Sequence, residues 1–235
     1  MKQNRSFLIL GITGGAGSGK TTVVEKIKEL APTVFLHCDV IAHELMMPGG
    51  ASYEVLLQEY GEKILEDVQK TEKSTCVENI QMLKEKKRLI SRPKLSAVAM
   101  ATAETRKRLN ELTHPLVREA VEAELYRLEQ EQFRGIVVVE AALLIEAGFK
   151  EICDSLWYVY APVEDRVRRM REKRGYSEEK IANILAGQLS EEQFRASADI
   201  VIENPDSVDG KKSEHLSKQI ERYVKEYLES MDKMC

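Results

Sequence analysis

Eight residues near the N-terminus, Gly14-Gly15-Ala16-Gly17-Ser18-Gly19-Lys20-Thr21, constrain this chain more than any other stretch. They fit the pattern in which a glycine and a Gly-Lys-[Ser/Thr] triplet are separated by four residues. Chemistry explains the spelling. Glycines let the backbone fold so that successive N–H groups point inward at a polyphosphate. The Lys20 ammonium neutralises the outer phosphates, and the Thr21 hydroxyl is placed to ligate Mg²⁺. The flanks agree. Phe7-Leu8-Ile9-Leu10-Gly11-Ile12 is a short apolar run of buried-strand type. From Thr22 to Leu30, the residues Val23, Val24, Ile27 and Leu30 recur at helical spacing, so a helix N-terminus faces the anion. Gly14, Gly15, Ala16, Gly17, Ser18, Gly19, Lys20, Thr21 and Thr22 are therefore the candidate nucleotide-binding residues.

The remainder has the mass to support such a loop. With 235 residues, 43% hydrophobic and 31% charged, the chain can form one sizeable α/β domain with a small appended lobe. Its net charge of −4 gives no global basic field, so no nucleic-acid partner is expected. The four cysteines, Cys38, Cys76, Cys153 and Cys235, show no Cys-x-x-Cys pair and no metal-ligand spacing. That pattern suits a reducing compartment. The apolar run at the start is too short for a signal peptide and leads into the glycine loop rather than a cleavage site. No stretch approaches a membrane span. The reading is a cytoplasmic protein without a membrane partner.

Further apolar runs alternate with helical patterns. Val34-Phe35-Leu36, Ile136-Val137-Val138-Val139, Leu156-Trp157-Tyr158-Val159-Tyr160 and Asp199-Ile200-Val201-Ile202 read as strands two to five. Short helices are expected over 41–47 and from Tyr53 to a stop at Gly61. A polar, charged stretch follows from Glu62 to Arg88, best read as a solvated helical face. Leu95 to Leu109 predicts a helix that stops before Pro115, and Val117 to Leu128 predicts another. Helices are expected at 164–174, at 177–186 and at the C-terminus. Strands alternating with helices imply a five-stranded parallel sheet flanked by helices.

Three groups of polar residues could carry chemistry. Asp39 lies just past the second strand, on the side where open parallel sheets bind ligands. A carboxylate there could take the proton of an attacking hydroxyl, although position alone leaves a helix N-cap equally open. Glu140 ends the third strand and Glu146 follows six residues later; one of them is expected near the site. The run from Arg166 to Arg174 holds six cations and one anion, and arginine forks suit the equatorial oxygens of a phosphoryl group in transfer. With no Asn-Lys-x-Asp for guanine, what remains is a small phosphate-loop kinase. The residues also leave open an ATP-holding regulatory protein, which would have no need for a carboxylate at position 39.

From Leu8 to about Asn204 the chain resembles the dephospho-CoA kinase family. The likeness rests on Gly11 to Thr21, on Asp39-Val40-Ile41-Ala42-His43 with Pro48-Gly49, and on Leu112-Thr113-His114-Pro115-Leu116. It continues through Leu143-Leu144-Ile145-Glu146, Gln188 and Ala198 to Asn204. The resemblance implies a P-loop kinase fold. It would have a core over about 1–47, 134–162 and 197–235, a helical substrate-binding lobe over about 48–133, and an arginine-bearing lid over about 163–196. It also implies transfer of the ATP γ-phosphate, with Mg²⁺, to the ribose 3′-hydroxyl of dephospho-CoA, the last step of coenzyme A biosynthesis. In that scheme Asp39 is the base, Lys20 and the loop hold ATP, and Thr21 ligates the metal. Arg169, with Arg174 nearby, clamps the phosphates. A kinase for another nucleoside or nucleotide hydroxyl is the alternative within the same class. The chain departs from the family pattern at His37-Cys38-Asp39 where the family has Asp-Ala-Asp, and at Glu140-Ala141-Ala142 in place of Asp-x-Pro. Lys173 stands for the lid's second arginine, and an insertion lies between Asp67 and Leu89, ahead of Arg92.

Overall fold

A computed structural model describes residues 5–67, 88–99, 101–141, 144–145, 148–206 and 212–232. Five strands, β1 (Phe7–Thr13), β2 (Thr33–His37), β3 (Gly135–Glu140), β4 (Ser155–Tyr160) and β5 (Ile200–Glu203), form one sheet in the order β2-β3-β1-β4-β5. Every pairing is parallel, and each strand lies on one of the five apolar runs. β1 and β3 are buried along their whole length, as a parallel sheet covered on both faces requires. The chain leaves β1 toward one side and crosses to the other after β3. That reversal marks the place where open sheets bind ligands, beyond the carboxyl ends of the strands. Register then fixes the neighbours there. Ile12 and His37 both sit opposite Glu140, and Thr13 sits opposite Tyr158.

The described helices are α1 (Lys20–Leu30), α2 (Cys38–Leu45), α3 (Ala51–Tyr60), α4 (Arg92–Ala99), α5 (Ala103–Gln130), α6 (Val163–Arg174), α7 (Glu178–Ala186), α8 (Glu191–Ser197) and α9 (Lys212–Asp232). α1 and α9 bury their apolar stripes against the sheet. Val23, Val24 and Ile27 meet Leu10, Ile12, Val138, Trp157 and, from α9, Ile220 and Val224. At about 1.5–3 kcal/mol for each large aliphatic side chain taken from water, this cluster holds the glycine loop between two rigid elements.

The chain divides into two compact units, residues 1–37 with 125–235, and residues 38–124. The second has its own core, built on Tyr53, Leu56, Tyr60, Ile64, Leu95 and Ala99. α3 ends at Gly61 with φ 68°, as its glycine predicts. The charged stretch lies outside the described residues from 68 to 87, but its stem is described. Leu65 bridges Ile90, Glu66 N–H donates to Leu89 O at 2.8 Å, and Ser91 N–H donates to Ile64 O at 2.8 Å. The insertion therefore leaves and returns through a closed neck.

Two local expectations need correction, and one helix had no expectation. The helix expected over 41–47 begins earlier, at Cys38. The helix expected from Leu95 to Leu109 is divided between α4, which ends at Ala99, and α5, which starts at Ala103 and runs through Pro115 to Gln130. Proline removes one N–H, and with it one donor to the preceding turn. The apolar stripe of Val117, Val121, Leu125 and Leu128 is buried all the same, and the Thr113 hydroxyl donates to Leu109 O at 2.9 Å just before the proline. Packing outweighs the missing bond. Finally α8, which periodicity leaves unmarked, is set by a capping box of Ser190 and Gln193 and by Phe194 stacked on Tyr158 at 4.9 Å.

Candidate functional site

The glycine loop spans 14–19, between β1 and α1. Its carbonyl oxygens have definite partners. Ala16 O accepts from Arg166 Nε at 3.0 Å, and Gly17 O and Ser18 O accept from Arg169 Nη1 at 2.9 and 3.1 Å. Asn204 Nδ2 also donates to Ser18 O, at 2.6 Å. In a planar trans peptide the C=O and the following N–H point opposite ways. The N–H groups of Gly17 and Gly19 therefore face away from α6, alongside the N-terminus of α1. That is an anion nest with its back filled.

Two of the loop's glycines are explained by what lies behind it. A Cβ on Gly15 would stand 2.1 Å from Arg166 Nη2. A Cβ on Gly17 would stand 2.7 Å from Arg166 O, at a φ of 80° that side chains rarely adopt. Neither position is fixed by the loop pattern itself. Both are glycine because α6 packs directly on the loop.

On the nest side, Lys20 Nζ donates to Gly14 O at 2.9 Å and lies 3.4 Å from Glu140 Oε1. The other Glu140 oxygen is 3.1 Å from His37 Nε2. The two departures from the family pattern at these positions thus form one contact, a histidine in place of one acid and the longer glutamate in place of the other. Glu140 is 7% exposed, so its carboxyl group faces these two neighbours rather than water. Thr21 and Thr22 are exposed in the first turn of α1. The hydroxyls of Thr13 and Ser18 are buried with no hydrogen-bond partner among the described residues. Unmet polar atoms beside an N–H nest fit a polar ligand.

Other expected site residues are placed as follows. Asp39 is exposed in the first turn of α2, two residues along the chain from His37. It belongs to the unit of residues 38–124, whereas the loop, Lys20, Glu140 and Arg169 belong to the other. A carboxylate in a helix's first turn also gains from the helix dipole. Arg169 reaches the loop on its carbonyl side, donates to Asn204 O at 2.7 Å and pairs with Asp206 Oδ1 at 2.7 Å. Arg174 is exposed at the end of α6, over the Tyr176 ring. Glu146 lies outside the described residues. Among the described residues no group of three His, Cys, Asp or Glu side chains could hold a metal by itself. Mg²⁺ characteristically takes one or two protein ligands and borrows the rest from phosphates and water, and the Thr21 hydroxyl suits that arrangement.

Sequence reasoning missed the roles of Arg166, Asn204 and Asp206. Asp206 N–H donates to Asp165 Oδ2 at 2.7 Å, and its carboxylate takes both Arg168 and Arg169. The segment after β5 is thereby tied to α6 and to the loop. For Asn204 the sequence carries a signal in the Ala198–Asn204 stretch, but contacts between residues this far apart in the chain leave no local pattern.

The profile of the family described as dephospho-CoA kinase matches residues 8–91 and 78–210. The dephospho-CoA kinase of Geobacter sulfurreducens is 33% identical over 196 residues, spanning 83% of this chain and 89% of that relative. The one from Corynebacterium diphtheriae is 33% identical, spanning 86% and 90%. Among solved structures, a protein from Thermus thermophilus superposes with a TM-score of 0.71 at 27% identity, covering 94% of this chain and 98% of that one. A shikimate kinase from Bacteroides thetaiotaomicron shares the fold alone, with a TM-score of 0.51 at 14% identity and coverage of 93% and 98%.

Proposed function

The chain belongs to the dephospho-CoA kinase family, and on that premise we propose that it transfers the γ-phosphate of ATP to the ribose 3′-hydroxyl of dephospho-CoA. One observation carries the reading. A glycine loop with its carbonyls tied down behind and Lys20 held between Gly14 O and Glu140 in front is built for a polyphosphate, in a chain that matches the family over most of its length.

Phosphoryl transfer asks little covalent chemistry of a protein and much positioning and charge. The loop N–H groups and Lys20 grip the phosphates. As negative charge shifts toward the bridging oxygen, Lys20 can follow it, exchanging Glu140 for the phosphate oxygens. Thr21 would hold Mg²⁺, which when bound would supply charge neutralisation to the phosphates. Asp39 is the base that receives the 3′-hydroxyl proton. Arg169 starts from a bound position, so clamping the phosphates requires it to give up Asp206 or the loop carbonyls, and Arg174 swings from an exposed one. The helical lobe over about 48–133 takes the coenzyme end of the acceptor. The setting is cytoplasmic and free of nucleic acid. No helix among the described residues is long and apolar enough to cross a membrane.

The test incubates the full chain with Mg·ATP and a panel of hydroxyl acceptors, following product mass. Dephospho-CoA should gain one phosphoryl group. Turnover of another nucleoside or nucleotide, with dephospho-CoA untouched, would assign a different acceptor, and no transfer to any acceptor would leave an ATP-binding protein.

A further inference from the structure

Three cations surround the loop, and they are not equivalent. Lys20 has Glu140 at 3.4 Å, and Arg169 has Asp206 at 2.7 Å. Arg166 differs. Its Nε donates to Ala16 O and its Nη2 to Gln188 Oε1, so both described partners are neutral oxygens. Its other electrostatic neighbour is Tyr158, whose phenol burial pushes up to about 12 and so keeps uncharged. Burial also lowers the Arg166 pKa, but a guanidinium starts high enough to stay protonated. The result is a partly buried cation against the glycine loop with no carboxylate among its described contacts. Burying an unpaired charge is costly, and the cost falls when an anion arrives.

We propose that Arg166 is a positioning residue for the nucleotide: it fixes the loop through Ala16 O and adds a charge that the bound polyphosphate neutralises. This rests on reading the loop as the ATP site. The guanidinium lies against Gly15, which has no side chain to hold it off. Its donation to Ala16 O polarises that peptide, so the Gly17 N–H on the opposite side becomes a stronger donor to a phosphate oxygen. Gln188, just past the end of α7, anchors the far side of the fork. The position of α7 is thereby linked to the loop, through Gln188, Arg166 and Ala16 in turn.

The test uses the full chain and inorganic tripolyphosphate, which contains no nucleobase and no acceptor. Calorimetric affinity is measured beside kcat and the KM values for ATP and for dephospho-CoA. Arg166→Ala should weaken tripolyphosphate binding and raise the KM for ATP by about tenfold to a hundredfold, the scale of a hydrogen bond to a charged group. The KM for dephospho-CoA should stay within about twofold, a split that simple destabilisation would not produce. Arg166→Lys should recover only part, because one ammonium cannot span both oxygens. Gln188→Leu keeps the charge but removes its outer anchor, and should move the same quantities in the same direction by a smaller factor. It decides the matter if Arg166→Ala does not fold. Unchanged tripolyphosphate affinity in the folded variants would overturn the proposal, as would full recovery by lysine. Transfer to an acceptor other than dephospho-CoA would overturn the acceptor assignment alone and leave the tripolyphosphate result standing.

Discussion

Asp39 and the loop glycines make opposite predictions at the level of single residues. Asp39 is exposed, so Asp39→Asn should leave the melting temperature and ATP affinity near wild type while turnover falls by about two to four orders of magnitude, the range of general base catalysis. A variant that melts early yet turns over normally would make Asp39 a helix-terminus residue only. Gly15 and Gly17 separate the loop's function from its stability. At Gly15 the added methyl of alanine meets the end of the Arg166 side chain, which can swing aside. Gly15→Ala should therefore raise the KM for ATP with little change in thermal midpoint. At Gly17 the methyl meets the backbone of α6 at a positive φ, so Gly17→Ala should cost about 1–3 kcal/mol of stability as well. Equal losses of stability at the two positions, measured by denaturant midpoint, would contradict this reading. The loop pattern was legible because it is local. The reason for its two extra glycines was not, since Arg166 lies 150 residues away from Ala16 in the chain.

Among the elements, α5 carries the clearest conflict between local preference and packing. Pro115 denies one donor to the preceding turn while the apolar stripe that follows it, Val117, Val121, Leu125 and Leu128, stays buried. Pro115→Ala restores that donor, and denaturant unfolding should show a gain of about 1–3 kcal/mol, up to the measured helix-interior cost of proline. A loss would mean that the ring itself is packed. Next to it, half-buried His114 has its pKa lowered from 6.5 by desolvation. The unfolded chain then binds the proton more readily, so stability should rise with pH through the window just below 6.5 and fall on acidification across it. His114→Gln should flatten that slope in melting curves, and an unchanged slope would assign it to other groups. The three inner strands could be placed from sequence because a sheet buried on both faces writes continuous apolar runs, and the half-buried edge strands β2 and β5 carry shorter ones. α8 could have been found as well: Ser190 and Gln193 have capping-box spacing, and Ser190 takes the N–H of Gln193 at 3.2 Å. The passage through Pro115 was hidden, because the rule that proline ends a helix is a local preference that tertiary burial overrides.

For the whole molecule, the residues proposed for the reaction fall in two compact units. The loop, Lys20 and α6 lie in the unit formed by 1–37 and 125–235, while Asp39 and the helices from α2 to α4 lie in the unit of 38–124. Sequence order obscures this, because the first unit is assembled from both ends of the chain and its loop contacts join residues as far apart as Ser18 and Asn204. A ligand stabilises whatever binds it and not the unfolded chain, by about 2.7 kcal/mol at a hundred times its dissociation constant. Mg·ATP should thus slow amide exchange over 14–22 and raise the thermal midpoint. Lys20→Met should abolish that shift, and Asp39→Asn should keep it. Dephospho-CoA alone should slow exchange within 38–124, where the core of Tyr53, Leu56 and Tyr60 supports α3. If dephospho-CoA instead protected only the loop-bearing unit, the acceptor would be read by residues beside the loop. The family's lobe role would then not hold for this chain, and its inserted segment, with its closed neck at Leu65 and Ile90, would be an addition to a scaffold rather than to a binding surface.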